Sequence, residues 1–200
     1  MTEKIYVKNE QGENLFGELS RGGMFDRNIA LIVQDKNNKK DEQFFEELIS
    51  NLVHNHIPYF RLYNFNDKEY DVNQGSKNII RVINHLSNLE FDSFVLFGKN
   101  NGAIQTLQAA KDSSKIKGMI LINPTSNELI DYDFSSVKGI VEVVQSGGVP
   151  QNQIDYTNKI VAQIPNSKIE IFEGADMNFS FIRDYRRMYR SVIEFIIENM

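Results

Sequence analysis

The chain has 200 residues, 41% of them hydrophobic, with a formal net charge of −5, a pI near 5.3 and no cysteine. That length and apolar content suit one globular domain over residues 1–200, with no Pro/Gly/Ser-rich linker to divide it. The acidic balance argues against nucleic acid or anionic membrane as a general partner, and the lack of cysteine excludes disulfides, thiolate catalysis and Cys-based metal sites.

In chain order, residues 4–8 and 14–19 read as two strands around the turn Asn9-Glu10-Gln11-Gly12-Glu13, an antiparallel hairpin at a sheet edge. The opening residues hold no apolar signal region, and no apolar run approaches the roughly 18 residues of a membrane span, so a soluble, cytoplasmic protein is expected. Residues 29–33, Ile-Ala-Leu-Ile-Val, are a continuous apolar run typical of a strand buried on both faces, and Phe44, Phe45, Leu48, Ile49, Leu52 and Val53 then recur at helical spacing. The next strand is 59–63, and Ile79, Ile80, Val82, Ile83 and Leu86 mark the next helix. A strand over 94–97 leads into a helix carrying Ala103, Ile104, Leu107 and Ala110. Strands follow at 118–122, ending at Asn123-Pro124, and at 139–144, then a helix over 151–163 and a last strand over 169–172. A terminal helix carries Ile182, Tyr185, Tyr189, Val192 and Ile196 on one face. Strands alternating with helices of this length predict an α/β fold: a mostly parallel central sheet with helices on both faces, and a functional crevice at the carboxyl ends of the strands.

At the third of those strand-to-helix turns stands Gly98-Lys99-Asn100-Asn101-Gly102. It has the frame of the G-x-S-x-G nucleophile elbow, in which the central residue is held in a strained backbone conformation and the glycines let strand and helix approach closely. The central residue is Asn100, whose carboxamide has no hydroxyl or thiol to activate. Asn is enriched at positive φ among non-glycine residues, so the position is suited to the shape while lacking the nucleophile. A plain βα loop with two glycines is the competing account.

The order of elements resembles the α/β-hydrolase superfamily over nearly the whole chain, through the hairpin, the strand at 29–33, the elbow, Leu121-Ile122-Asn123-Pro124 and Glu173-Gly174-Ala175-Asp176. The short connection from Pro124 to the strand at 139 leaves no room for a cap domain, so the similarity is to compact, lidless esterase-like or serine-aminopeptidase-like members. The resemblance implies a catalytic triad, and each of its positions fails. The nucleophile falls on Asn100. The acid should follow the strand over 139–145, where Gln145-Ser146-Gly147-Gly148-Val149-Pro150 holds no carboxylate and Gly148 marks the vestigial place; Asp155, the nearest downstream, falls inside the next helix. The histidine falls on Met177. In the oxyanion region, where lidless members often have a His-Gly pair, the sequence reads Gln34-Asp35-Lys36, and an inward-pointing Asp35 would repel a developing oxyanion unless it caps the following helix.

None of His54, His56 and His85 is placed to act as general base, all lying in or just after the first two crossover helices. Ser126, Ser146 and Ser180 read as turn and cap residues. Gly98-Lys99 is not followed by the Ser or Thr of a phosphate loop. Arg183, Arg186, Arg187 and Arg190 form a solvated basic helix face or a docking surface for an acidic partner. Phe195-Ile196-Ile197 exceeds what one helix face needs and is compatible with a homodimer. Asp131-Tyr132-Asp133 lacks the further oxygens of a calcium loop, and neither metal nor cofactor is expected. The sequence therefore reads as a catalytically degenerate hydrolase-like protein whose crevice, with Gln34, Asp35, Lys99, Asn100, Asn101, Ser146 and Met177, binds a small molecule or a partner protein. The alternative is an atypical esterase, acyl hydrolase or peptidase drawing acid-base chemistry from Asp176, Asp35, Lys36 or Lys99.

Overall fold

The computed structural model describes residues 2–22, 27–34, 39–63, 71–125 and 132–200. Strands β1 (Thr2–Lys8) and β2 (Asn14–Ser20) pair antiparallel from Thr2 opposite Ser20 to Lys8 opposite Asn14. Their turn is stapled by Asn9, whose Oδ1 accepts the N–H of Gln11 at 3.0 Å and of Glu13 at 2.8 Å, the local side-chain bonding that suits Asn to turns.

From β3 (Asn28–Gln34) onward, helices and strands alternate: α1 (Lys39–His54), β4 (Tyr59–Tyr63), α2 (Val72–Asn88), β5 (Ser93–Lys99), α3 (Asn101–Lys111), β6 (Ile116–Ile122), β7 (Ile140–Ser146), α4 (Gln151–Gln163), β8 (Ser167–Phe172) and α5 (Ile182–Glu198). Among the described residues the strands form one sheet in the order β1-β2-β4-β3-β5-β6-β7-β8. The hairpin joins it antiparallel through β2 against β4, and every later pairing is parallel. The architecture is the expected one: a mostly parallel sheet, an N-terminal antiparallel hairpin and no cap domain between β6 and β7.

Alternation along each strand divides the core in two. Ile29, Leu31, Val33, Phe94 and Leu96 pack against α2, α3 and α4, whereas Ala30, Ile32, Val95 and Phe97 pack against α1 and α5. Each fully buried large aliphatic or aromatic side chain contributes about 1.5–3 kcal/mol by leaving water, which explains why the central strands read as unbroken apolar runs. Two strands begin earlier than their apolar runs. β6 starts at Ile116, and β8 starts at Ser167 because polar partners extend it: Ser167 Oγ donates to Val161 and Ile164 carbonyls, and Lys168 pairs with Glu142 at 2.7 Å.

Parallel connectivity places the carboxyl ends of β3 to β8 along one edge of the sheet. The C-terminal ends of α1 and α2, with His54, His56 and His85, lie at the opposite edge, where each helix returns the chain to the amino end of the next strand.

Candidate functional site

The turn between β5 and α3 has the elbow geometry. Asn100 has φ 53 and ψ −122, its N–H donates to the Ile122 carbonyl at 2.8 Å, and its own carbonyl accepts from Ala103 at 3.1 Å. The glycine frame has a packing cause. A Cβ on Gly98 would stand 2.7 Å from Ala103 Cα and 2.7 Å from the Gly102 carbonyl oxygen, both backbone atoms that cannot yield cheaply. Asn100 occupies the N-cap position of α3 without making a side-chain cap bond. Its Oδ1 and that of Asn101 are buried and have no hydrogen-bond partner.

The loops after β7 and β8 are joined to each other. Gly147 N–H donates to the Phe172 carbonyl at 3.0 Å and Gly148 N–H to the Ala175 carbonyl at 2.7 Å. At Gly148 a Cβ would meet the Ala175 oxygen at 2.6 Å and Asp176 Cα at 3.1 Å, so the β8 loop fills the space that a side chain there would need. Asn123, fully buried and at φ 46 after β6, ties both loops to the centre of the sheet. Its Oδ1 accepts the Ser146 N–H at 2.7 Å, and its Nδ2 donates to the Met177 carbonyl at 2.9 Å. Sequence reasoning noted Asn123 only as the end of a strand; an Asn directly before a proline at a strand terminus was the signal available. Ser146 itself is fully buried with an unpartnered hydroxyl, and the Met177 side chain is 48% exposed.

The remaining sequence-derived residues fall elsewhere in the same edge. Gln34 is buried on β3, with its Oε1 accepting from Arg61 Nε at 2.7 Å; Arg61 also pairs with Glu46 at 2.5 Å. Lys99 follows Val95 and Phe97 onto the α1 face, where it is buried with its ammonium 5.7 Å from the Phe44 ring centre. Asp35, Lys36, Ser126 and Asp131 lie outside the described residues. The structure thus links Asn123 to Ser146 and Met177 through hydrogen bonds and ties Asn100 to the neighbouring Ile122 carbonyl, while Gln34 and Lys99 belong to the side packed by α1.

Asp176, Asp155 and Asp133 are all engaged in local structure. Asp176 Oδ1 accepts the N–H of Asn178 at 2.9 Å and of Ser180 at 3.0 Å, and the Ser180 backbone bond is the main cause holding its carboxyl below the usual range. Asp155 lies on α4 and accepts from Gln151 four residues earlier, and Asp133 caps Ser135. Of the arginines on α5, Arg187 pairs with Glu170 and lies 4.7 Å over the Phe172 ring, and Arg183 pairs with Asp184 at 3.3 Å. Arg186 and Arg190 line a shallow groove of about 420 Å³ between α1 and α5, in which Glu47 and Glu194 offset their charge. Among the described residues no cluster of His, Asp and Glu could hold a metal ion, and no helix is long and apolar enough to cross a membrane.

No protein-family profile matches the sequence, and no curated protein matches it. Solved structures do. The dienelactone hydrolase from Anabaena variabilis superposes with a TM-score of 0.83 at 10% identity, covering 100% of this chain and 98% of that one. Est1E from Butyrivibrio proteoclasticus gives 0.77 at 15% identity, covering 98% of both chains. XC6422 from Xanthomonas campestris, an α/β serine hydrolase without a lid, gives 0.77 at 14% identity, covering 98% of this chain and 94% of that one. The chain has the α/β-hydrolase fold. Within that fold it takes the lidless form, with residues 123–139 alone joining β6 to β7.

Proposed function

We propose that the protein is a catalytically degenerate α/β-hydrolase, a pseudoenzyme in which the crevice at the elbow binds a small molecule or a partner protein. The observation that carries this reading is the mutual closure of the β7 and β8 loops. Where a triad would need an acid and a base reaching toward residue 100, Gly148 is bonded to the Ala175 carbonyl with no room for a side chain, and Met177 is held by its carbonyl to Asn123. Asn100 supplies no nucleophile, and a triad works as a unit whose members depend on one another. The competing hydrolase reading draws on Asp176, whose Oδ1 is occupied by two backbone N–H groups of its own loop. The reading treats residues 1–200 as one cytoplasmic domain acting without metal or cofactor.

The test is hydrolysis of p-nitrophenyl acetate and of an aminoacyl p-nitroanilide by the purified chain, against heat-denatured protein. Release at the rate of the denatured control is expected. Turnover above that rate that is abolished by Asp176→Asn would overturn the proposal in favour of an atypical hydrolase.

A further inference from the structure

We propose that the outer edge of β8 pairs antiparallel with the same edge of a second copy of this chain, about a two-fold axis at Ile169, so that two sheets join into one. This surface is independent of the crevice. Among the described residues no strand pairs with the outer side of either end strand, β1 or β8. The two edges are not alike. On β1 the Asn9 N–H donates inward to the Glu13 carbonyl, so by alternation Lys4 and Lys8 stand where the backbone groups face outward, and exposed lysines there blunt an edge against pairing. On β8 Lys168 is followed two residues later, on the same face, by the opposite charge of Glu170.

The phase of the ladder shows which backbone groups of β8 are free. The Asn166 carbonyl accepts the Val141 N–H at 2.9 Å and the Phe172 carbonyl accepts the Gly147 N–H at 3.0 Å, both from the β7 side. By alternation Lys168 and Glu170 turn their backbone groups inward, and Ser167, Ile169 and Ile171 turn theirs outward. An antiparallel partner must set outward residues against outward residues. Centred on Ile169, the pairing sets Ile169 against its own copy and Ser167 against Ile171, each pair exchanging both N–H···O bonds. The same register sets Lys168 opposite Glu170 of the second copy, and symmetry repeats the contact. An axis moved to Lys168 would oppose lysine to lysine, and one moved to Glu170 would oppose glutamate to glutamate. Charge therefore selects one among the registers that the backbone permits.

The ion pairs already present extend the pattern. Lys168 is 67% exposed and bonds Glu142 at 2.7 Å, while Glu170 accepts from Arg187 and Ser191. A lysine ammonium has donors to spare for a second carboxylate, and a carboxylate accepts from more than two donors. Across the axis the charges then alternate through Glu142, Lys168, Glu170 and Arg187, a network in place of isolated pairs. On the other face the half-buried Ile169 and Ile171 gain apolar cover. The end of α5 offers less, since Phe195 and Ile196 are buried in the core and only Ile197 of that run is exposed.

Sedimentation velocity of the full-length chain over a concentration series reads the assembly, and amide hydrogen exchange at low and high concentration locates it. A dimer is expected, with the Ser167, Ile169 and Ile171 amides slowing as it forms. Lys168→Glu opposes glutamate to glutamate and Glu170→Lys opposes lysine to lysine, so each variant alone should dimerise about tenfold more weakly, two cross-strand pairs changing sign at once. An equimolar mixture of the two variants restores unlike charges across the axis and should form the mixed dimer, an outcome that damage to the fold could not produce. Ile169→Pro removes an outward N–H and no bond to β7, and should give a folded monomer. A monomer at every concentration up to the millimolar range would leave the edge to solvent or to a foreign strand and overturn the proposal. So would a dimer that Ile169→Pro leaves intact, a mixture that associates no more tightly than each variant with itself, or a dimer whose Ser167, Ile169 and Ile171 amides exchange as fast as in the monomer.

Discussion

The elbow and the pair of loops after β7 and β8 stand at the same edge of the sheet, yet they differ in what holds them. The elbow is held by packing: Gly98 lets β5 and α3 approach to a distance that admits no Cβ, and this need is the same whether residue 100 is a serine or an asparagine. The two loops would have to project an acid and a base across a gap to serve catalysis. Here they are bonded to each other and to Asn123 instead. The first is set by close approach of backbone to backbone, the second by hydrogen bonds between segments distant in sequence.

The loop side of this contrast is broken most directly by Asn123→Ala. The change leaves the Ser146 N–H and the Met177 carbonyl without their partner and puts alanine at φ 46, for a loss of about 3 kcal/mol. Urea unfolding measures the loss, and amide exchange should accelerate in both loops while α3 stays protected. A loss under about 1 kcal/mol would mean that the clamp is incidental, since one orphaned buried group alone costs that much.

On the elbow side the expected change is smaller and of opposite sign. Asn100→Gly relieves the cost of a side chain at φ 53 and ψ −122, and the gain in stability should be about 1 kcal/mol, toward the low end for such strain. Destabilisation by this variant would show that the carboxamide contributes to folding.

The smallest effect is one of pH. The Asp176 carboxyl is held below its ordinary range, chiefly by the Ser180 N–H, so its ionised form is favoured in the folded state. The contribution is therefore fully present above the ordinary carboxylate range and is lost as pH falls through the lower, folded value. The Asn178 and Ser180 amide shifts should move together on acidification. In Asp176→Asn that acid limb should vanish with the loop otherwise retained.

Much of the fold was legible because its signals are local. The continuous run at Ile29–Val33 gave a strand buried on both faces, helical spacing of Phe44 to Val53 gave α1, and the two glycines around Asn100 gave a positive φ at that residue. The edge strand β8 was harder, since Ser167 and Lys168 join it through polar partners on other elements. The clamp was not legible at all. Asn123 acts on groups 23 and 54 positions away, and the crowding at Gly148 exists only once Ala175 is beside it. The alternation of Val95, Phe97 and Lys99 does carry Lys99 to the α1 face, but proximity to Asn100 in sequence says nothing of that direction.

The bond from Asn123 to Met177 also joins parts of the chain made at different times. The sheet grows outward from β3 toward β8 in chain order on this side, so a nascent chain can complete the elbow as soon as β6 has emerged, well before residue 177 exists. Long-range closures of this kind come late and cost loop entropy that local turns do not. The turn of chain before α5 can join Asn123 only after residue 177 has been made.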